Sequence, residues 1–293
     1  PPEAHPMLEF VTEPFAFQFM RNALYAGLLT VLMASLVGTW VVMRGMSFMG
    51  DAMAHGVLPG IAVAFLLGGN LLVGAAISAG VMIGGISIAS ARSRLGDDTA
   101  IGLLFVGMLA LGVAIISARG AYAGDLTTIL FGDPIGVTRG NLRTLAIATL
   151  VTVVVTILLY RPFLVLSFSR AKAHVLGMYP RLAHFAMLGL IATVIVTSFR
   201  TVGTLLVFAF LVAPPATASL LARRVPVMMT VAVLVGSVSV IAGLLVSFHY
   251  GTATAATIAG LSVLLFFLVL TVREAVDAVR RQVDRFRPQG AAA

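Results

Sequence analysis

Hydrophobic and polar positions alternate along this chain in blocks: apolar runs cover residues 17–42, 51–68, 71–91, 99–118, 141–160, 182–199, 202–221, 226–248 and 252–272, with short polar stretches between them. About 20 apolar helical residues cross the roughly 30 Å hydrocarbon core of a bilayer. The pattern therefore predicts an all-α, polytopic membrane protein of about eight or nine transmembrane helices. Two places are irregular. The run 51–68 is short and carries Asp51, His55 and Pro59, and the runs 182–199 and 202–221 are joined only by Arg200 and Thr201. One of these is expected to be a half-helix or re-entrant segment, because broken backbone is tolerated at membrane depth where it lines a cavity. The layout is then an external N-terminal segment (1–16), a transmembrane domain (17–272) and a basic cytoplasmic tail (273–293).

Composition narrows the function classes. Of 293 residues 60% are hydrophobic and 10% charged, with a mean hydropathy of +1.07. Nothing is left over for a separate catalytic domain. The formal charge of +8 does not point to nucleic acid, because the basic residues sit between the apolar runs and act as topology signals. With the N-terminus outside, fourteen of the nineteen lie in inner loops and the tail, from Arg44 to Arg287; Arg21, Arg119, Arg139, Arg143 and Arg200 stay outside. That orientation puts the C-terminus in the cytoplasm. There is no cysteine, hence no disulfide, thiolate nucleophile or thiolate metal site.

The chemistry-bearing segment is MRGMSFMGDAMAHGVLPG, residues 43–60. Asp51 and His55 are four apart and share a helix face. Their oxygen and nitrogen donors suit a borderline divalent cation such as manganese, zinc or ferrous iron. An ionisable pair inside an apolar span is costly and marks a pathway by default. The plainer alternative is that Asp51 caps a helix at the inner interface, which leaves His55, one turn deeper, unexplained. Pro59 has no amide hydrogen to give the His55 carbonyl, and Pro214 and Pro215 likewise deprive the carbonyls of Phe210 and Leu211. For the latter two, a packing kink is the expected consequence.

The remaining candidates have ordinary explanations. Asp97 and Asp98 sit at a helix start and read as caps, Asp125 and Asp133 belong to an outer loop, and the thirteen methionines are scattered. The glycines at 74, 80, 84, 85, 102, 107 and 112 read as helix-packing positions. Residues 161–181 form an inner loop whose middle, Ser169 to Met178, is a short amphipathic helix candidate, with Ser169 as N-cap and Gly177 near its end. No Walker motif and no His-Glu-x-x-His are present, so ATP hydrolysis would fall to another polypeptide and an intramembrane metalloprotease is excluded.

The run VVMRGMSFMGDAMAHGVLPGIAVAFLLG (41–68) resembles the signature of the manganese/zinc/iron ABC permease family. LGDDTAIGLLFVGMLALGV (95–113), LTTILFGDPIGV (126–137), AHVLGMYPRL (173–182) and RTVGTLLVFAFLVAPPATASLLA (200–222) are similar to further segments of that family, in the same order. The resemblance implies a non-enzymatic permease subunit that forms the pathway as a homodimer, with two cytosolic ABC ATPases and an extracytoplasmic metal-binding protein, in the cytoplasmic membrane. The metal, manganese or zinc, is substrate; no cofactor is bound permanently. It implies that Asp51 and His55 attend metal passage. It also implies that Ala171, Lys172, Ala173, His174, Val175, Leu176 and Gly177, within the coupling region 169–180, dock on the ATPase. Ser167 to Arg170 depart from the acidic residues that members often carry before that helix. The competing expectation is an ATP-independent secondary transporter or channel, which would move metal by itself.

Overall fold

In a bilayer every backbone N–H and C=O must find its partner inside the protein, and this chain does so with helices. The computed structural model describes residues 12–92, 97–117, 132, 136–168 and 180–286. In chain order the helices are α1 (Gln18–Met43), α2 (Phe48–Gly56), α3 (Leu58–Leu66), α4 (Leu71–Arg92), α5 (Asp97–Ser117), α6 (Arg139–Leu158), α7 (Tyr160–Phe168), α8 (Pro180–Val202), α9 (Thr204–Leu221), α10 (Val225–Tyr250) and α11 (Thr254–Phe286). Among the described residues there is no strand, and nine spans are long and apolar enough to cross a membrane. The all-α polytopic architecture expected from the apolar runs is what the chain forms.

The two irregular places resolve differently. Phe48–Leu66 is a full-length span of 19 residues, but it is broken at Val57 into α2 and α3. The pair α8 and α9 are both full spans separated by Gly203 alone, whose φ of +81° is one a side chain would resist. The Gly203 N–H donates to the Phe199 carbonyl at 3.2 Å and its carbonyl accepts from Val207 N–H at 3.2 Å, so both of its own backbone groups are paired. α11 is one helix of 33 residues, roughly 50 Å long, and extends past residue 273 into the basic stretch.

The helices form two shells. In α1, the α2–α3 span, α8 and α9, 56–67% of the membrane-length window is buried, against 22–33% in α4, α5, α6, α10 and α11. The outer helices turn large apolar side chains outward, among them Ile77, Leu103, Val106, Leu150, Ile157 and Leu264. Such a surface suits lipid and would be unstable in water. Lipid tails are as apolar as leucine, so the shells are held by close packing at small residues. Gly27 of α1 lies against Val240 of α10, Gly236 of α10 against Val31 of α1, and Gly243 against Ile258 of α11. Buried hydroxyls mostly bond their own helix, as Thr30 does to the Ala26 carbonyl and Thr217 to that of Ala213, both at 2.8 Å.

Of the seven glycines read as packing positions, Gly74, Gly85 and Gly112 are pressed against neighbouring helices. Gly80, Gly84, Gly102 and Gly107 meet open space within this chain, so close packing inside the protomer does not account for them. The coupling residues Ala171 to Gly177 lie outside the described residues.

Candidate functional site

The site begins where α1 stops. Arg44 closes α1, and Gly45 follows at φ +66°. The Gly45 N–H donates to the Val42 carbonyl and the Met46 N–H to that of Val41, both at 3.0 Å, the paired bonds of a Schellman turn. This short reversal delivers the chain into α2 at Phe48. On α2 the residues Met49, Gly50, Ala52, Met53, Ala54 and Gly56 are buried, and Gly50 rests on Leu211 and Phe208 of α9. Phe48, Asp51 and His55 occupy the other face, at the three-and-four spacing of one helical stripe.

Asp51 Oδ1 stands 3.6 Å from His55 Nε2, with the aspartate side chain 30% and the histidine side chain 26% open. α2 starts at Phe48, with Ser47 in the cap position and no side-chain cap bond, so Asp51 is the fourth helical residue and does not cap. It still lies in the first turn and His55 in the last, where the helix dipole favours negative and positive charge respectively. The ring of Phe105 on α5 packs edge-on against both neighbours of this stripe. Its centroid is 5.6 Å from that of His55 and 5.5 Å from that of Phe48.

Directly above His55 the helix breaks. Pro59, second residue of α3, has no N–H for the His55 carbonyl. The Gly56 carbonyl is taken by an outside donor, the buried Ser78 hydroxyl of α4 at 2.8 Å. Gly60 and Gly74 bring the α3 and α4 backbones together, Met82 fills the space beside Gly56, and Gly112 of α5 lies against Leu58 and Pro59. The break is clamped on two sides.

Pro214 and Pro215 behave otherwise. α9 runs unbroken through both, and they are buried. Gly38 of α1 sits against the Leu211 carbonyl and the Pro215 ring, so the carbonyl that Pro215 leaves unpaired meets a glycine backbone. This is a packing arrangement, and α9 places the Leu211 and Phe208 side chains against Gly50 of α2. Asp51 and His55 are brought together, and Pro214 and Pro215 are buried in the packing of α9. Among the described residues no group of three or more His, Asp or Glu could hold a metal.

Three participants escaped the sequence. Phe105 is one phenylalanine among eighteen, Ser78 one small residue in a small-residue helix, and Arg44, 3.1 Å from His184 Nδ1, looked like a topology signal. Only Arg44 carried a hint, as part of the segment that also holds Asp51 and His55.

A shell of apolar helices around a broken span that carries a carboxylate and an imidazole defines a helical membrane transport protein. The model of the ABC 3 transport family matches residues 16–273, and the chain belongs to that family. It is 36% identical over 260 residues to the manganese transport system membrane protein MntC of Halalkalibacterium halodurans, covering 88% of this chain and 89% of that one. Identity to the chelated iron transport system membrane protein YfeD of Yersinia pestis is 36% over 265 residues, covering 90% and 89%. Among solved structures, PsaBC from Streptococcus pneumoniae in complex with Fab superposes with a TM-score of 0.80 at 30% identity, covering 90% of this chain and 95% of that one.

Proposed function

We propose that this chain is the permease through which an ATP-driven importer moves a divalent transition metal, manganese or zinc with ferrous iron chemically compatible, and that two copies form the path. The carrying observation is the Asp51/His55 pair, 3.6 Å apart and about a quarter to a third open, on a span otherwise enclosed by apolar helices. An ionisable pair open to lipid is costly, so this face belongs to a water-filled path or to a second copy. One chain offers two donors, whereas zinc takes four ligands and manganese prefers six, mostly oxygen. A second copy facing the first doubles the donors to four, and water completes the set.

The permease does no covalent chemistry. Two ATPase subunits grip the segment around Ala171 to Gly177 on the inner side, and an extracytoplasmic metal-binding protein delivers the ion. The N-terminus is outside and the C-terminus in the cytoplasm. Asp51 supplies negative charge and a hard oxygen, His55 a borderline nitrogen, and the Phe105 ring limits the ways the imidazole can turn. Such a donor set binds zinc more tightly than manganese whatever the cargo, so discrimination rests largely on delivery.

The test is uptake of manganese and zinc by vesicles containing this chain, its ATPase and the loaded binding protein. Wild type accumulates metal with ATP, and Asp51→Ala and His55→Ala each lose it, expected at about 100-fold by analogy with the loss of one ligand group. Transport without ATP would identify a secondary transporter, and full activity in both variants would sink the pathway assignment.

A further inference from the structure

The inner end of α8 holds a contact that the pathway does not require. Arg44 Nη1 lies 3.1 Å from His184 Nδ1 and 3.5 Å from the Met187 Sδ, across 140 and 143 residues of sequence. A guanidinium only donates, so His184 Nδ1 is the acceptor and a neutral His184 carries its proton on Nε2. Hydrogen bonds from a charged donor are among the stronger and more directional ones. Both residues are half-buried, and Met187 is in the core.

Position gives this bond its meaning. His184 is the fifth residue of α8, which starts at Pro180, where the coupling region 169–180 ends. Arg44 caps the end of α1, and only Gly45, Met46 and Ser47 separate it from α2. Those three are not slack, because the Schellman bonds and a 2.9 Å bond from the Met49 N–H to the Met46 carbonyl tie the reversal to both helices. A displacement of the first turn of α8 therefore has a short, stiff route to the start of the helix that carries Asp51 and His55. α7 leads into the same region from the other side, with Tyr160 and Phe163 packed edge-on against Trp40 one turn before Arg44.

We infer that Arg44 and His184 are positioning residues: their hydrogen bond passes movement of the ATPase-coupling segment to the Asp51/His55 helix. This rests on the permease function proposed above. Removing the bond is expected to uncouple hydrolysis from transport and to leave metal binding and ATP hydrolysis in place. A hydrogen bond to a charged group biases an equilibrium by about tenfold or more, and a loss of that order in metal imported per ATP is expected.

The experiment uses the full complex in vesicles, with this chain, its ATPase and metal-loaded binding protein, and reads manganese or zinc imported per ATP hydrolysed. Arg44→Ala and His184→Leu should each lower that ratio about tenfold. The double variant should be no worse than either single one. His184→Asn, which keeps an acceptor near Nδ1, should recover much of the ratio. Unfolding followed through Trp40, the sole tryptophan, separates uncoupling from loss of structure; if Arg44→Ala does not fold, the His184 pair of variants decides. Wild-type ions per ATP in His184→Leu, or equal losses in His184→Leu and His184→Asn, overturns the inference. Wild-type vesicles that take up no metal with ATP would instead overturn the permease function itself.

Discussion

The α2–α3 span and α9 both carry prolines in the buried shell, yet one breaks and the other does not. The difference lies in what surrounds the backbone. At the α2–α3 joint a hydroxyl from α4 accommodates the Gly56 carbonyl. In α9 the Leu211 carbonyl, left by Pro215, is pressed against the backbone of Gly38. A proline removes a hydrogen bond in either place. Whether the helix then parts depends on whether a neighbour supplies a polar partner or a close-packed backbone. The open, ion-compatible face lies beside the first kind of proline, and the second kind serves cohesion.

Both proline-bearing spans are most vulnerable at their glycine contacts. In Gly38→Val the new Cβ would overlap the Leu211 carbonyl and come within 2.9 Å of the Pro215 ring, neither of which is a flexible side-chain end. A destabilisation of about 3 kcal/mol or more is expected, read as a lowered unfolding midpoint in detergent through Trp40, two residues along α1. Gly60→Val makes the corresponding overlap with the Gly74 backbone, at a comparable cost of about 2–3 kcal/mol. If Gly60→Val is tolerated while Gly38→Val is not, the α3 clamp is looser than its geometry implies.

Much of this fold was legible because membrane solvent imposes a simple rule: a span must be long, apolar and helical. The runs 17–42, 141–160 and 226–248 correspond to α1, α6 and α10 to within a few residues. Asp51 and His55 were legible for the same reason, as charge where charge is costly. What the pattern could not carry was contact between distant helices. Ser78 becomes a partner for Gly56 only because Gly60 and Gly74 draw α3 and α4 together, and no local signal distinguishes Ser78 from Ser87 on the same helix. Nor could apolar periodicity separate Gly74, which packs, from Gly80, which meets open space. The break before Pro59 and the continuity through Pro214 and Pro215 depended on the neighbours just described.

A smaller effect sharpens the contrast in carbonyl pairing. Ser78→Ala strips the Gly56 carbonyl of its outside donor in a buried place, at a cost of about 1–3 kcal/mol. Thr217→Val in α9 removes a hydroxyl that only back-bonds to the Ala213 carbonyl of its own helix, which the Thr217 N–H still pairs, so the change should stay under about 1 kcal/mol. Unfolding midpoints of the two variants measure this directly; equal midpoints would mean that the Ser78 bond does not hold the break.

The smallest stability effects should come from the prolines, and there function is the sharper readout. Pro59 is the second residue of α3, a position that tolerates proline at little cost. Pro59→Ala restores an N–H within reach of the His55 carbonyl and allows α2 and α3 to anneal into one helix, with a stability change within about 1 kcal/mol of zero. Annealing turns the Asp51/His55 face relative to α4 and α5, so ATP-driven metal uptake should fall several-fold while the protein remains folded. Pro215→Ala returns an N–H to the Leu211 carbonyl but empties ring volume beside Gly38; the two offset to within about 1–2 kcal/mol, and uptake per folded complex should hold. The two substitutions are chemically identical and differ only in what faces the carbonyl. If both reduce uptake alike, continuity of α9 matters to transport as much as the break in α2–α3 does, and the division between a path-forming proline and a packing proline fails.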